Sequence, residues 1–333
     1  MQTRKLGPFT VSAIGLGCMN LSHAYGHPVD EAEATRLLLR ALDCGVDFLD
    51  TAALYGFGAN ESLLGRALKG HRQRFVLASK CGMTGVNGKR VIDGRPATIK
   101  ATCDAALQRL QTDVIDLYYL HRLDFAVPIE ESVGALADLV QAGKIRGIGL
   151  SEVSAVTLRR AHAVHPVTAL QSEYSLWSRE PEIAVLEACC ELGVAFVAFS
   201  PLARGFLGGQ LVNPQKQLEA GDIRLSMPRF EPDNYVRNLQ LLPAFRSLAA
   251  ELGGTPAQLA LAWLLASKPE MLMIPGTRSI AHLEENLGAY RLQLDAATVA
   301  QLDSMIHPRH IAGERYNQAT FAEIDSERFN TQA

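Results

Sequence analysis

Eight short apolar runs, each followed by a helical pattern, constrain this chain more than any other feature. They cover residues 14–19, 46–50, 75–80, 115–121, 145–151, 167–174, 194–202 and 271–276. Each is near-continuous in Val, Ile, Leu, Ala and Phe rather than alternating, which is how parallel strands covered on both faces read. Amphipathic segments recur between them at 30–43, 98–110, 129–141, 154–165, 182–192, 235–252 and 256–267. Thr98 and Thr255 are expected N-caps, and Gly143 and Gly193 expected C-terminal stops. Eight β/α alternations in order predict an α/β chain folded as a closed (β/α)8 TIM barrel, a single domain over 1–333. An N-terminal β-hairpin over 1–14, turning at Gly7-Pro8, is placed to plug the barrel's N-terminal mouth. A long Gly- and Pro-rich loop, 203–234, follows strand seven, and 307–333 reads as a polar C-terminal tail. A doubly wound sheet is the alternative, but its G-x-G-x-x-G fingerprint fails, because Asn20 stands where the third glycine belongs.

Composition narrows the function. Of 333 residues, 48% are hydrophobic and 20% charged, which excludes a disordered chain. Lys+Arg 32 against Asp+Glu 35 gives −3, so no basic excess points to nucleic acid or an anionic membrane. No apolar run approaches the ~20 residues of a membrane helix. Arg4-Lys5 and the stretch to Cys18 imitate a secretory leader, but Gly7-Pro8 and Thr10 interrupt it. Cysteines 18, 44, 81, 103, 189 and 190 form no C-x-x-C pair and read as reduced thiols of a cytoplasmic protein. His23 and His27 have no Cys or carboxylate at ligand spacing, so no metal is expected.

In a parallel barrel the chemistry gathers where strands end. Strand two ends at Asp50, with Tyr55 just beyond; strand three ends at Lys80 and strand four at His121. A charge at the end of an apolar strand is costly to bury unless paired, and Asp50 and Lys80 come from neighbouring strands. Together the four residue types solve one problem: giving a proton to a carbonyl oxygen as hydride reaches carbon. A free Tyr titrates near ~10, and a nearby ammonium lowers that value. Asp50 would hold Lys80 charged, and His121 could donate to the same oxygen.

These residues carry a resemblance. Gly45-Val46-Asp47-Phe48-Leu49-Asp50-Thr51-Ala52-Ala53-Leu54-Tyr55-Gly56 resembles the G-x-x-x-x-D-T-A-x-x-Y-G stretch of the aldo-keto reductases. The resemblance continues through Ser79-Lys80-Cys81-Gly82, Leu120-His121-Arg122, Gln171-Ser172-Glu173-Tyr174, Phe199-Ser200-Pro201-Leu202 and Ile274-Pro275-Gly276-Thr277. Gly313-Glu314-Arg315-Tyr316 resembles the tail of the bacterial and plant branch that includes perakine-reductase-like enzymes.

The resemblance implies reduction of a small-molecule aldehyde or ketone to an alcohol with NADPH. Tyr55 is then the general acid, with Lys80 lowering its pKa, Asp50 pairing with Lys80 and His121 orienting the carbonyl. Ser151, Glu152 and Gln171 fall at the nicotinamide carboxamide, and Phe199 on the nicotinamide ring. Ser200, Leu202 and Arg204 would line the pyrophosphate. Gly276, Thr277 and Arg278 would hold the adenosine ribose and 2′-phosphate, with Glu285 and Asn286 near adenine. Relatives often carry Asn at Glu152, Lys at Gly276 and Arg at His282. Arg278 is thus left with most of the 2′-phosphate recognition, and NADH is the less favoured cofactor. Met19, Tyr25, Phe57 and Trp177 are candidate substrate-pocket walls, with plain packing as the alternative. Arg315-Tyr316 either folds back over the site or forms a surface tail. Two rival functions stay open: a Schiff-base enzyme using Lys80, and a non-catalytic cofactor-binding regulatory subunit. Nothing in these patterns fixes an oligomeric state.

Overall fold

The computed structural model describes residues 1–329 except Asn87 and Pro269; the end of the expected tail, 330–333, lies outside the described residues. The chain opens with β1 (Thr3–Leu6) and β2 (Phe9–Ser12). These pair antiparallel around Gly7-Pro8, with Gly7 at φ +57°. A Cβ on Gly7 would sit 2.5 Å from the Thr168 methyl, so the hairpin lies tight against the start of a barrel strand. Leu6 and Val11 reach inward and pack with Phe48, Leu117 and Tyr119, closing the N-terminal mouth.

The barrel strands are β3 (Leu16–Gly17), β4 (Phe48–Asp50), β5 (Val76–Cys81), β8 (Leu117–Leu120), β9 (Ile148–Ser151), β10 (Val167–Glu173), β11 (Ala195–Phe199) and β12 (Leu272–Ile274). The remaining strands, β6 (Met83–Val86) and β7 (Lys89–Ile92), form a hairpin after β5. All barrel neighbours pair in parallel. Bridges from Ile14 to Met273 and from Gly17 to Gly276 join the last strand to the first. The eight expected runs are therefore the eight barrel strands.

Helices cover the ring: α1 (Glu31–Asp43), α2 (Ala59–Ala67), α3 (Pro96–Leu110), α4 (Ile129–Gln141), α5 (Ala155–Val164) and α6 (Val185–Leu192). Further on come α7 (Pro214–Gln217), α8 (Pro232–Leu239), α9 (Leu242–Glu251), α10 (Pro256–Ser267), α11 (Ile280–Leu287), α12 (Ala296–Met305) and α13 (Gln318–Phe321). Their ends follow from local chemistry. Asp30 accepts from the Ala32 and Glu33 amides, and Thr255 with Gln258 forms a reciprocal capping box. Gly143 and Gly193 follow α4 and α6 at positive φ.

Two expectations are corrected. Thr98 is not an N-cap: α3 begins at Pro96, whose fixed φ suits a first turn, and the Thr98 hydroxyl donates to Asp93. The segment 235–252 is not one helix but α8 and α9, parted just before Pro243, which has no amide hydrogen to continue a helix.

Candidate active site

Strand pairing brings the four key residues together. Asp50 ends β4, and Lys80 lies two residues past Ala78, its register partner on β5. The Lys80 ammonium is 0% exposed. It pairs with Asp50 and donates to the Thr51 carbonyl at 2.9 Å and to Tyr55 Oη at 3.2 Å. The other Asp50 oxygen accepts from Gln171 Nε2 at 2.8 Å. Tyr55 is delivered by a tight turn in which Gly56, Phe57 and Gly58 all have positive φ. His121 follows β8 and meets the Tyr55 ring edge-on, centroids 5.8 Å apart. Its Nδ1 is buried with no hydrogen-bond partner among the described residues.

The charges follow from these contacts. Burial works against the Lys80 ammonium, but Asp50 and the Tyr55 oxygen outweigh it and raise its pKa, so Lys80 stays charged. Burial pushes the Tyr55 phenol above its usual value, and Lys80 pulls it back only in part. Lys80 does lower the Tyr55 value, as expected, but burial outweighs it. The phenol is protonated at neutral pH, the form that can donate. Burial, then the nearby Arg122 and Lys80 charges, hold His121 well below its ordinary value, so it is neutral.

A supporting layer comes from α2, which sequence reading did not single out. Asn60 accepts from the Thr51 hydroxyl at 2.6 Å and donates to the Cys18 carbonyl and Ser22 Oγ, both at 2.9 Å. Glu61 accepts from Ser79 at 2.6 Å and from Arg109. The stretch after Tyr55-Gly56 thus ties the ends of β3, β4 and β5. The signal for it was the leucine spacing at 63, 64 and 68.

One cleft of about 890 Å³ runs from this group across the C-terminal rim of the barrel. Ser151 and Gln171 line it at the ends of β9 and β10, and Phe199, Ser200, Leu202 and Arg204 at the turn after β11. Ser200, Ala203 and Arg204 there take positive φ, an unusual cost for non-glycine residues that bends the backbone sharply. Gly276, Thr277 and Arg278 line the opposite side, with Glu285 and Asn286 from α11. A Cβ on Gly276 would lie 2.3 Å from Asn20 Oδ1, which is why a side chain is crowded there. Arg204 donates to Glu173 at 2.7 Å, Tyr316 at 2.9 Å and Tyr25 at 3.1 Å. Arg278 donates to the Tyr25 carbonyl at 3.0 Å. Met19, Tyr25 and Phe57 also line the cleft, Phe57 at its rim with 53% exposure. His23, another lining residue, stacks on Tyr55 with centroids 6.1 Å apart.

Two expected site residues lie outside the cleft. Glu152 leaves β9 at φ +56°, which turns its carboxylate away from Ser151 and into the protein. There Arg315 grips it at 2.9 and 2.6 Å, and Ser326 and the Glu173 amide also donate to it. Burial would raise the Glu152 pKa, but Arg315 overrides it and holds the group at about 2. Trp177 is also no pocket wall. It stacks on Phe206 at 4.2 Å and meets Phe230 edge-on, anchoring the long loop from beneath. The tail, by contrast, does fold back: Arg315 and Tyr316 are buried, and Asp325 accepts from the Ser154 amide and hydroxyl.

Residues 13–307 match the family model for the aldo/keto reductase family. The chain is 44% identical over 321 residues to the aldo-keto reductase yakc [NADP(+)] of Schizosaccharomyces pombe, covering 94% of each. Among solved structures it resembles a glycerol dehydrogenase from Gluconobacter oxydans at TM-score 0.84 and 27% identity, over 95% of this chain and 98% of that one. It also resembles an aldo/keto reductase from Klebsiella pneumoniae in complex with NADP and acetate, at TM-score 0.73 and 28% identity, over 97% and 99%. The chain belongs to the aldo/keto reductase family.

Proposed function

We propose that this protein reduces aldehydes and ketones to alcohols with NADPH, using Tyr55 as the proton donor. The observation that carries the reading is Lys80, a buried ammonium paired with Asp50 and 3.2 Å from the Tyr55 hydroxyl. When bound, the reduced nicotinamide supplies a hydride to the carbonyl carbon. Tyr55 gives its proton to the developing alkoxide, and Lys80 stabilises the phenolate left behind. Neutral His121 donates a hydrogen bond to the same oxygen and orients it. A Schiff-base role for Lys80 fits poorly, because imine formation needs a neutral amine and Lys80 is held charged.

The cleft suits a dinucleotide in size and in chemistry. Gln171 donates from its amide nitrogen to Asp50, leaving its carbonyl, with the Ser151 hydroxyl, for the nicotinamide carboxamide. Phe199 gives the ring a flat apolar face. Ser200, Leu202 and Arg204 serve the pyrophosphate; Gly276, Thr277 and Arg278 the ribose and 2′-phosphate; Glu285 and Asn286 the adenine. The NADP(+) in the name of the yakc relative and the NADP in the Klebsiella complex support this cofactor. The chain acts as one catalytic unit in a reducing compartment, the cytoplasm, which suits its six free cysteines. No described helix is long and apolar enough to cross a membrane. The test is a screen of aromatic aldehydes, dicarbonyls, pyridoxal and sugar-derived ketones, following cofactor oxidation with NADPH and then NADH. Turnover with NADPH supports the reading; a protein that binds NADPH yet reduces none of them is a regulatory subunit instead.

A further inference from the structure

Five arginines line the cleft, and three are already neutralised. Arg204 is met by Glu173, Arg224 by Asp222 and Arg90 by Glu323. The other two, Arg122 and Arg278, have no carboxylate partner among the described residues. They sit across the barrel from one another, at β8 and β12. Arg278 faces the end read above as the 2′-phosphate site. Arg122 stands at the other end, directly after His121, where a dinucleotide presents no negative charge. Its charge is therefore left without a counterpart on the cofactor.

The local contacts sharpen the point. One Arg122 nitrogen donates to the His121 carbonyl at 2.7 Å and to Ser151 Oγ at 3.2 Å. Its other N–H groups have no partner among the described residues, although the side chain is half-buried in the cleft wall. Glu152, after the next barrel strand, feels the Arg122 charge but accepts its hydrogen bonds from Arg315, Ser326 and the Glu173 amide. Burial is the largest influence on Tyr55 and His121, and Arg122 adds a pull toward lower values on both, so its charge reaches the reacting groups. A half-buried guanidinium with free donors beside a proton donor is a recognition element for an anion. Its planar fork matches a carboxylate through two parallel hydrogen bonds.

We propose that Arg122 selects carbonyl substrates that carry a carboxylate, binding the anion beside Tyr55 and His121 while Met19 and Phe57 cover the apolar body. This rests on the reduction reading above, and the test separates the two. Phenylglyoxylate and the three carboxybenzaldehydes are compared with their methyl esters by kcat/KM, in wild type and in Arg122→Gln. In parallel, calorimetry measures benzoate and benzamide binding to the full chain with NADP+ added. One charge-assisted contact is worth roughly 10- to 100-fold. The best acid is therefore expected to exceed its ester by at least about tenfold. Arg122→Gln should erase that ratio and weaken benzoate, but not benzamide, by a similar factor. Should nothing turn over while benzoate binding still depends on Arg122, the anion site stands and the reduction reading falls. Esters matching acids while neutral aldehydes are reduced, or acid and ester falling together with benzoate binding unchanged, overturns the proposal and makes Arg122 a support of the tetrad or the cofactor.

Discussion

An ammonium buried among apolar strands persists only where opposite charge and hydrogen-bond acceptors surround it, and Lys80 has Asp50, the Thr51 carbonyl and Tyr55 Oη. Its neighbours pull Tyr55 in opposite directions: Lys80 lowers the phenol pKa and Asp50 raises it. Lys80→Met should therefore move the alkaline limb of the pH–rate profile upward, and kcat should fall by about 10² or more. Asp50→Asn should move that limb downward while Lys80 stays protonated on the Thr51 carbonyl and Tyr55 Oη, and should cost less in rate than the loss of Lys80 itself. Profiles of kcat against pH for both variants check this; two limbs moving the same way would show that another group sets the field at Tyr55. All four residues of this group were legible in the sequence, because each stands at or just beyond a strand end in a recognisable motif. Glu152 was misread for a physical reason. It follows Ser151 in the chain, but a positive φ that no pattern announces turns it away from the cleft.

At the scale of elements, the tail is a strap tied to β9 and α5. Glu152 grips Arg315, and Asp325 and Glu327 accept from the amides of Ser154 and Ala155 at the start of α5. Removing one partner of a buried pair leaves the other charge uncompensated, at a cost of about 3–5 kcal/mol. Arg315→Met should destabilise the protein by that amount in urea unfolding, and Glu152→Met in the same chain should restore much of it. The sign with pH follows from the depressed Glu152 pKa of about 2. The pair's stabilisation is complete above the ordinary carboxylate value of about 4.3 and is lost as pH falls toward about 2. The gap between wild type and Arg315→Met should thus shrink across that window; a constant gap, or one below about 1 kcal/mol, would contradict a buried ion pair. The barrel strands were readable because burial on both faces leaves an unbroken apolar run. The bounds of helix α2 were not, because its inward face carries Asn60 and Glu61, which break the apolar period ahead of the leucines. The β6–β7 hairpin is mostly solvent-facing and leaves a weak pattern for the same kind of reason.

Across the whole molecule the proposed function places two tasks on opposite sides of one ring, proton delivery near β4, β5 and β8, and cofactor grip near β11 and β12. Arg278 is the cofactor-end arginine without a carboxylate partner among the described residues, and a charge-assisted contact is worth about 1.5–3 kcal/mol. Arg278→Ala should therefore weaken NADPH by roughly 10- to 100-fold and leave NADH nearly unchanged in fluorescence titrations. Equal weakening would mean that Arg278 grips a part common to both. The barrel and the order of its site residues were legible because they are set by chain periodicity. The strap's course and the walls of the cleft were not, because they depend on loops whose contacts lie far apart in the chain. The account turns on Tyr55 as the donor of the proton, and the direct test is single-turnover reduction by Tyr55→Phe already loaded with NADPH. The expected result is cofactor binding within about threefold of wild type and a reduction rate lower by roughly 10²–10⁴. A loss of less than about tenfold, with the cofactor still bound, would contradict it.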